Sequence, residues 1–444
     1  MTDLDTAIQR IDSLLAESGD SLPTSAERLA RMQRQIERSR WLLADLGITM
    51  PPVILVGGTS GKGSVVMQIE AVLRAHGLRV GTYTSPYLQT PLEVVRVEGR
   101  LMPPDAAIRH IDRVMESVAR MPDLHYLEAW MGVALLHIVE SGCDAAVIEV
   151  GMGGRYDRTN ALDPAVSVIT TVHYDHMRML GSSLQEIAHH KAGILRAHRP
   201  AILGQLPDPA RPVIEAEAEA VGASLVDSGN VAHPIDLTAA GARFDYHGEG
   251  LTLRDVHLSQ TGAHQVANAG TALRALEAFA ACHPDLLTLD ADRIREGLKA
   301  VRFAGRLEMA QGRPTVILDG AHNGEKVDAL LDALRDVYTY DRLIVVLGML
   351  RTKQAIADRF ARIADHLITT TVPVYGKPSF TAAELAHDDA VPIDDAGEAL
   401  AHALTSASPG DLVVVTGSLY LVGMLRPVWY PTADVIAQRT MFPT

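Results

Sequence analysis

Four short runs in the first half of the chain contain almost nothing but apolar and small side chains: VILVGG (53–58), VGTYTS (80–85), AAVIEVG (145–151) and AVSVITTV (165–172). Helical patterns lie among them at about 64–76, 126–141 and, in LQEIAHHKAGIL, 184–195. A strand with one face in water alternates polar and apolar residues, so runs this apolar are buried on both faces. That condition belongs to a parallel sheet wrapped by helices, and the fold class is therefore α/β. Between 223 and 260 the pattern becomes shorter and alternating (ARFDYHGEGLTLRDVHL), as in an antiparallel hairpin insertion, before the helical HQVANAGTALRALEAFA (264–280). A second α/β series follows FAGRLE (303–308): TVILDGA (315–321), LIVVLGML (343–350), HLITTT (366–371) and LVVVTGS (412–418). The expectation is a parallel-sheet domain over 1–302 and a smaller Rossmann-like domain over 303–444, with a hinge near 300–306. An amphipathic helix is expected within the first fifty residues, with Leu29, Met32, Ile36 and Leu43 on its apolar face and its end near Gly47. EAEAEA (215–220) reads as a solvated helix face.

Composition narrows the partners. With 444 residues and a formal charge of −14, the chain has no general affinity for nucleic acid or an anionic membrane. Anionic substrates would have to be met locally, by a few cations and backbone N–H groups. The two cysteines, Cys143 and Cys282, have no metal or redox spacing and suit a reducing compartment. The N-terminus lacks a signal-peptide core, and no window approaches the roughly 18 apolar residues of a membrane span. A cytoplasmic monomer is expected, acting on small molecules.

GGTSGKGS (57–64) sits between a buried strand and a helix, the context that makes a glycine pattern a phosphate site. Its spacing is displaced from G-x-x-x-x-G-K-[ST] at both ends: Val56 stands where the first glycine belongs, and Gly63 separates Lys62 from Ser64. Gly58, Gly61 and Gly63 allow close backbone approach, Thr59, Ser60 and Ser64 add hydroxyls, and Lys62 adds a point charge. A glycine-rich turn without a ligand is the bland alternative. Phosphoryl transfer from ATP calls for a divalent cation, and magnesium takes a few protein oxygens and keeps several waters. Ser85 and Glu149 each follow a buried run, so both would emerge at the sheet's carboxyl edge beside the loop.

Two further stretches share that edge. EVGMGGRYDRTN (149–160) crowds Arg155 and Asp157 behind Glu149, and VHYDHMRMLG (172–181) brings His176, a metal or phosphate neighbour if it is not a structural histidine. Lys191, in HHKAGI, is a cation on an apolar helix; a snorkelling surface lysine would look the same.

GTSGKGS, TSPYL, EVGMGGRYDRTN, DHMRMLG, HHKAGI, HQVANA, GRLE, DGAHN and TGSLYLVG resemble, in order and spacing, the folylpolyglutamate synthase and dihydrofolate synthase family of Mur-type amide ligases. The resemblance spans about 40–425. The family's loop has the form G-T-N-G-K-G-[ST], so the displaced spacing is its own, with Ser60 in place of Asn. It implies that ATP and Mg²⁺ convert an acceptor carboxylate to an acyl phosphate, which an amino acid's amine then attacks. By the same resemblance Lys62 and the loop grip phosphates, Ser85 and Glu149 hold one Mg²⁺, and His176 helps to hold a second. Lys191 matches a lysine that is carbamylated in relatives. Asn268 and Arg306 match nucleotide contacts, Asp319 a residue near the ribose, and His322 and Ser418 positions linked to the incoming glutamate. Glu128 belongs to an aromatic-Glu pair kept only in part, as Tyr126-Leu127-Glu128.

Departures gather on the acceptor side. The family's Glu-Arg-Ile element becomes QTPLEVVRVEG, where Val94 follows Glu93 and the arginine comes only at Arg96. Its D-K-D element is replaced by RTKQ (351–354), with Lys353 alone kept. The sequence thus supports a ligase joining L-glutamate to a folate-type acid, with a non-folate carboxylic acid as the alternative acceptor. A nucleotide-binding protein without ligase activity is the reading from another class; it would leave the second domain unexplained.

Overall fold

A computed structural model describes residues 2–15, 25–351, 356–374, 376–387 and 389–444. Lys353 lies outside the described residues.

The first lobe is built on an eight-stranded sheet ordered β4-β3-β2-β5-β1-β6-β7-β8. Its strands are β1 (Val53–Gly57), β2 (Val80–Tyr83), β3 (Val95–Val97), β4 (Arg100–Leu101), β5 (Ala145–Glu149), β6 (Val166–Ile169), β7 (Pro200–Leu203) and β8 (Ser224–Asp227). The four apolar runs are the central strands β2, β5, β1 and β6, and every residue in them is buried. They run parallel and in register, with Val56 opposite Glu149, Gly57 opposite Ile169 and Tyr83 opposite Ile148. The loops after all four therefore leave from one edge, where open α/β sheets bind ligands.

The structure departs from expectation at the sheet's two flanks. β3 pairs antiparallel with β2, and β4 antiparallel with β3, so the sheet is mixed. Strands this short, joined through Glu98 and Gly99 at positive φ, leave too little periodicity to detect. At the other flank, Ser224–Asp227 joins the main sheet as β8, parallel to β7, and is not part of the insertion. The insertion itself is a three-stranded antiparallel sheet of β9 (Ala232–Thr238), β10 (Gly241–His247) and β11 (Thr252–Leu258). It is fastened to the helix Ala263–Cys282 by the Tyr246 hydroxyl, which donates to Glu277 at 2.6 Å.

Near the N-terminus two helices form, Asp3–Asp12 and Ser25–Asp45. The expected apolar face of the second is only partly used. Leu29 is 42% exposed, and the buried positions are Ser39 and Leu42, then Leu46 just past the end. The C-terminal end of that helix packs on the helix Tyr126–Glu140, where Gly132 gives Leu42 and Leu46 room. EAEAEA lies in the helix Arg211–Val221, and two of its carboxylates are engaged: Glu217 pairs with Arg155 at 2.7 Å and Glu215 with Arg211 at 3.7 Å.

The second lobe carries a six-stranded sheet ordered β12-β13-β17-β14-β15-β16. Its strands are β12 (Glu308–Gly312), β13 (Thr315–Leu318), β14 (Leu343–Leu347), β15 (His366–Thr369), β16 (Val391–Pro392) and β17 (Leu412–Thr416), parallel except for β12. Among the described residues no helix is long and apolar enough to cross a membrane.

Candidate active site

β1 ends at Gly57 and the helix Lys62–Ala75 starts within five residues, so the intervening turn is tight. Its N-cap is Gly61, at φ 79°, and no side chain caps the first turn. Those N–H groups are left to an incoming anion, the arrangement that binds phosphate. A Cβ at Gly61 would stand 2.3 Å from the Asn268 side-chain oxygen, and one at Gly63 would stand 2.7 Å from the Phe303 ring. The loop is thus clamped between the Ala263–Cys282 helix and the Phe303 ring. Its strand side is tied to the segment after β6: Thr59 N–H donates to Thr171 O at 2.9 Å, and Ser60 N–H to the Thr171 hydroxyl at 3.0 Å.

Lys62 Nζ lies 3.9 Å from Glu149, and the other Glu149 oxygen accepts from Ser85 N–H at 3.1 Å. Ser85 and Glu149 therefore meet beside the phosphate loop. Burial raises the Glu149 carboxyl above its ordinary range, and Lys62 opposes that rise. A hydroxyl and a carboxylate next to a phosphate site form an oxygen donor set suited to Mg²⁺. No group of three or more His, Cys, Asp and Glu collects as a metal site among the described residues, but a magnesium ion that keeps waters and touches phosphates does not need one. His176 takes another position. It caps the short helix Met177–Leu180 in left-handed backbone, its side chain 47% exposed and 3.9 Å from Asp175.

Lys191 is not a snorkelling surface lysine: it is 2% exposed. Burial, with the nearby Lys62 charge, holds its amine well below the ordinary lysine range. Asp175 and Glu325 pull the other way.

Between the lobes lies a cavity of about 200 Å³ that takes in Ser60, Gly61, Ser64, Asn268, Arg306 and Asp319. Asp319 accepts from Leu307 N–H and Ala321 N–H, both at 2.8 Å, and fixes the turn that presents Arg306. Across the cleft, Ser60 Oγ donates to Glu325 at 2.7 Å, and His173 stands 3.3 Å from the same carboxylate. Asn323 donates to Asp175 at 3.2 Å, and Lys326 Nζ lies 3.1 Å from His322. The HYDH and HNGEK segments thus face each other over the phosphate loop.

Known protein families and structures match this architecture. Residues 56–276 match the Mur ligase middle domain, and 305–419 match the Mur ligase glutamate ligase domain. The folylpolyglutamate synthase of Lacticaseibacillus casei is 33% identical, over 84% of this chain and 89% of its own. The chain belongs to the folylpolyglutamate synthase/dihydrofolate synthase family. It is an ATP-dependent ligase. The dihydrofolate synthase/folylpolyglutamate synthase of Escherichia coli is 31% identical, over 88% of this chain and 90% of its own. Against a probable bifunctional folylpolyglutamate synthase/dihydropteroate synthase of Haloferax volcanii, 32% identical, the chain spans about half the relative's length, 49%. Among solved structures, E. coli FolC in complex with DHPP and ADP superposes with a TM-score of 0.82 at 29% identity, over 99% of each chain.

Glu128 and Ser418, which the family resemblance singles out, are not among the residues that line the cavity between the lobes of this ligase. Glu128, in the first turn of the helix Tyr126–Glu140, accepts from His125 N–H at 2.7 Å and pairs with Arg38 at 2.7 Å. Ser418 caps the helix Leu419–Leu425, accepting from Tyr420 N–H at 3.1 Å. Glu325, Lys326, His173 and Thr171 escaped the sequence reading of the cleft. Glu325 and Lys326 follow DGAHN after one glycine, Gly324, and that proximity was the available signal.

Proposed function

We propose that this ligase joins L-glutamate to a folate-type carboxylate, either dihydropteroate or a folyl glutamate, through an acyl phosphate. The observation that carries the reading is the meeting of Lys62, Ser85 and Glu149 at the mouth of the cleft between the lobes, which we divide at 302/303. In the first step a carboxylate oxygen of the acceptor bonds to the γ-phosphorus of ATP, and the bridging P–O bond breaks with its electrons leaving on ADP. The deprotonated amine of glutamate then attacks the acyl carbon, and inorganic phosphate departs. A carboxylate alone is inert to amines because its oxide leaves poorly; the phosphoryl group supplies the leaving group. Ser85 and Glu149 would hold Mg²⁺, which offsets phosphate charge. Lys62 and the loop N–H groups orient the phosphates.

In this reading the finer assignments are those the family resemblance suggests. Asn268, Arg306 and Asp319 serve the nucleotide, His322 and Ser418 the incoming glutamate, and His176 a second ion. Lys191 takes up carbon dioxide to become a carbamate. Its depressed basicity favours the neutral amine that such a reaction requires. A cytoplasmic monomer completes the reading.

A non-folate acceptor is the second reading, and one observation favours it. Glu93, which by the family resemblance belongs to the acceptor element, spends its carboxylate on the N–H groups of Leu88, Gln89 and Thr90. An acceptor screen decides between them. ADP release that needs glutamate and either 7,8-dihydropteroate or a tetrahydrofolate supports the first reading; release with neither, but with another acid, supports the second.

A further inference from the structure

Next to Ser85 and Glu149 lies a second, smaller cavity of about 30 Å³, bounded also by Gly63, Arg306, Met441 and Arg96. One water needs roughly 10–15 Å³ by this kind of measure, so the space suits a group of carboxylate size. Arg96, on β3, is 6% exposed. Among the described residues its side chain makes one hydrogen bond, from a terminal nitrogen to the Met67 sulfur at 2.8 Å, a weak acceptor, and its Nε has no partner. The neighbouring acids are engaged elsewhere. Glu93 accepts three backbone N–H groups, and Glu70 pairs with Arg74 at 3.1 Å. Both support the Arg96 charge from a distance without bonding to it. A guanidinium stays charged even when buried, and leaving it without a partner is costly.

We propose that Arg96 receives the acceptor's reacting carboxylate and holds one of its oxygens while the other attacks the γ-phosphorus. The inference rests on the ligase reading above. The carboxylate in question is the reacting one because the cavity shares Gly63, Ser85 and Glu149 with the phosphoryl-transfer machinery; a remote carboxylate has no reason to come there. The oxygen that Arg96 holds becomes the carbonyl oxygen of the acyl phosphate. Continued hydrogen bonding draws charge from the acyl carbon as the amine attacks. The altered 88–97 stretch thus supplies its own cation two residues beyond Val94.

The test compares wild type with Arg96→Met, Arg96→Lys and Arg96→Ala, using dihydropteroate and tetrahydrofolate monoglutamate as acceptors. Arg96→Met is expected to lower acceptor kcat/KM about 10²-fold for both, with KM for ATP unchanged. Added guanidinium should restore part of the activity of Arg96→Ala, and Arg96→Lys should recover less than the full loss. A loss confined to the folyl glutamate would assign Arg96 to a remote carboxylate and overturn the inference. So would a loss that guanidinium does not relieve, accompanied by a lowered thermal midpoint. Calorimetric titration of the Mg·ADP-loaded enzyme with benzoate separates this inference from the folate reading. If wild type turns over neither acceptor yet binds benzoate through Arg96, the folate reading fails and the inference stands. If Arg96→Met binds benzoate as wild type does, the inference fails.

Discussion

At the scale of single residues, the site combines cations and acids whose charges are uncomfortable until substrates arrive. Glu149 is buried with Lys62 at 3.9 Å, a pair poised to separate when phosphate takes the lysine and a metal takes the acid. Lys62→Ala and Glu149→Gln should each lower acceptor-dependent ADP release at least about 10²-fold, with little change in the thermal midpoint. Coupled-assay turnover near wild type in either variant would remove the assignment. Lys191 behaves differently, because burial depresses its amine in the folded state from the ordinary 10.5. Below that pH the unfolded chain binds more protons, so stability rises with pH across the window between the folded value and 10.5. In buffer free of carbon dioxide, Lys191→Met should therefore flatten the pH dependence of the melting temperature and stabilise the fold by on the order of 1 kcal/mol, while losing turnover. A variant that melts lower at every pH would contradict this. The residues visible in the sequence were those attached to strand ends or glycines. Lys191 could be seen but its burial could not, and Glu325 had no pattern beyond its place after DGAHN.

At the scale of elements, the phosphate loop shows how local sequence and tertiary packing divide the work. Glycine at 61 meets a local requirement, positive φ at the helix cap, and a tertiary one, the side chain of Asn268 from a helix some two hundred residues away. Gly61→Ala violates both and should cost at least about 1 kcal/mol in stability and abolish binding of a fluorescent ATP analogue. The double variant with Asn268→Ala removes the clash but leaves the strained φ, so part of the lost stability should return. Identical thermal midpoints for the single and double variants would show that Asn268 exerts no pressure on the loop. The central strands were legible because full burial writes an unbroken apolar run into β1, β5 and β6. The edges were not. β3 is held by pairing to β2, and β4 by pairing to β3 and by the tail, as where Arg439 Nε donates to Leu101 O at 2.8 Å. β8 is a half-exposed strand whose partner lies across a helix.

At the scale of the molecule, two sheets face each other across a cleft, and several bonds span it. Arg426, fully buried, holds Glu308 at 2.8 Å, while its guanidinium also reaches Gln89 of the first lobe and the Met441 carbonyl of the tail. Nearer the chemistry, Ser60 and His173 of the first lobe meet Glu325 of the second. A cleft held shut matters for this reaction because an acyl phosphate left open to water is hydrolysed, and each such event spends one ATP without forming an amide. The bond from Ser60 to Glu325 belongs to this chain's own departure from the family loop, since Ser60 stands where the family has Asn. Removing it should weaken closure more than catalysis. Glu325→Ala and Ser60→Ala are accordingly expected to keep acceptor-dependent ADP release and to raise the ratio of ADP to amide product. Loss of one hydrogen bond worth about 1 kcal/mol would raise the fraction of open complexes about fivefold. Measuring ADP and amide in the same reaction gives the ratio directly. Ratios unchanged from wild type in both variants would mean that the cleft is kept dry by other contacts.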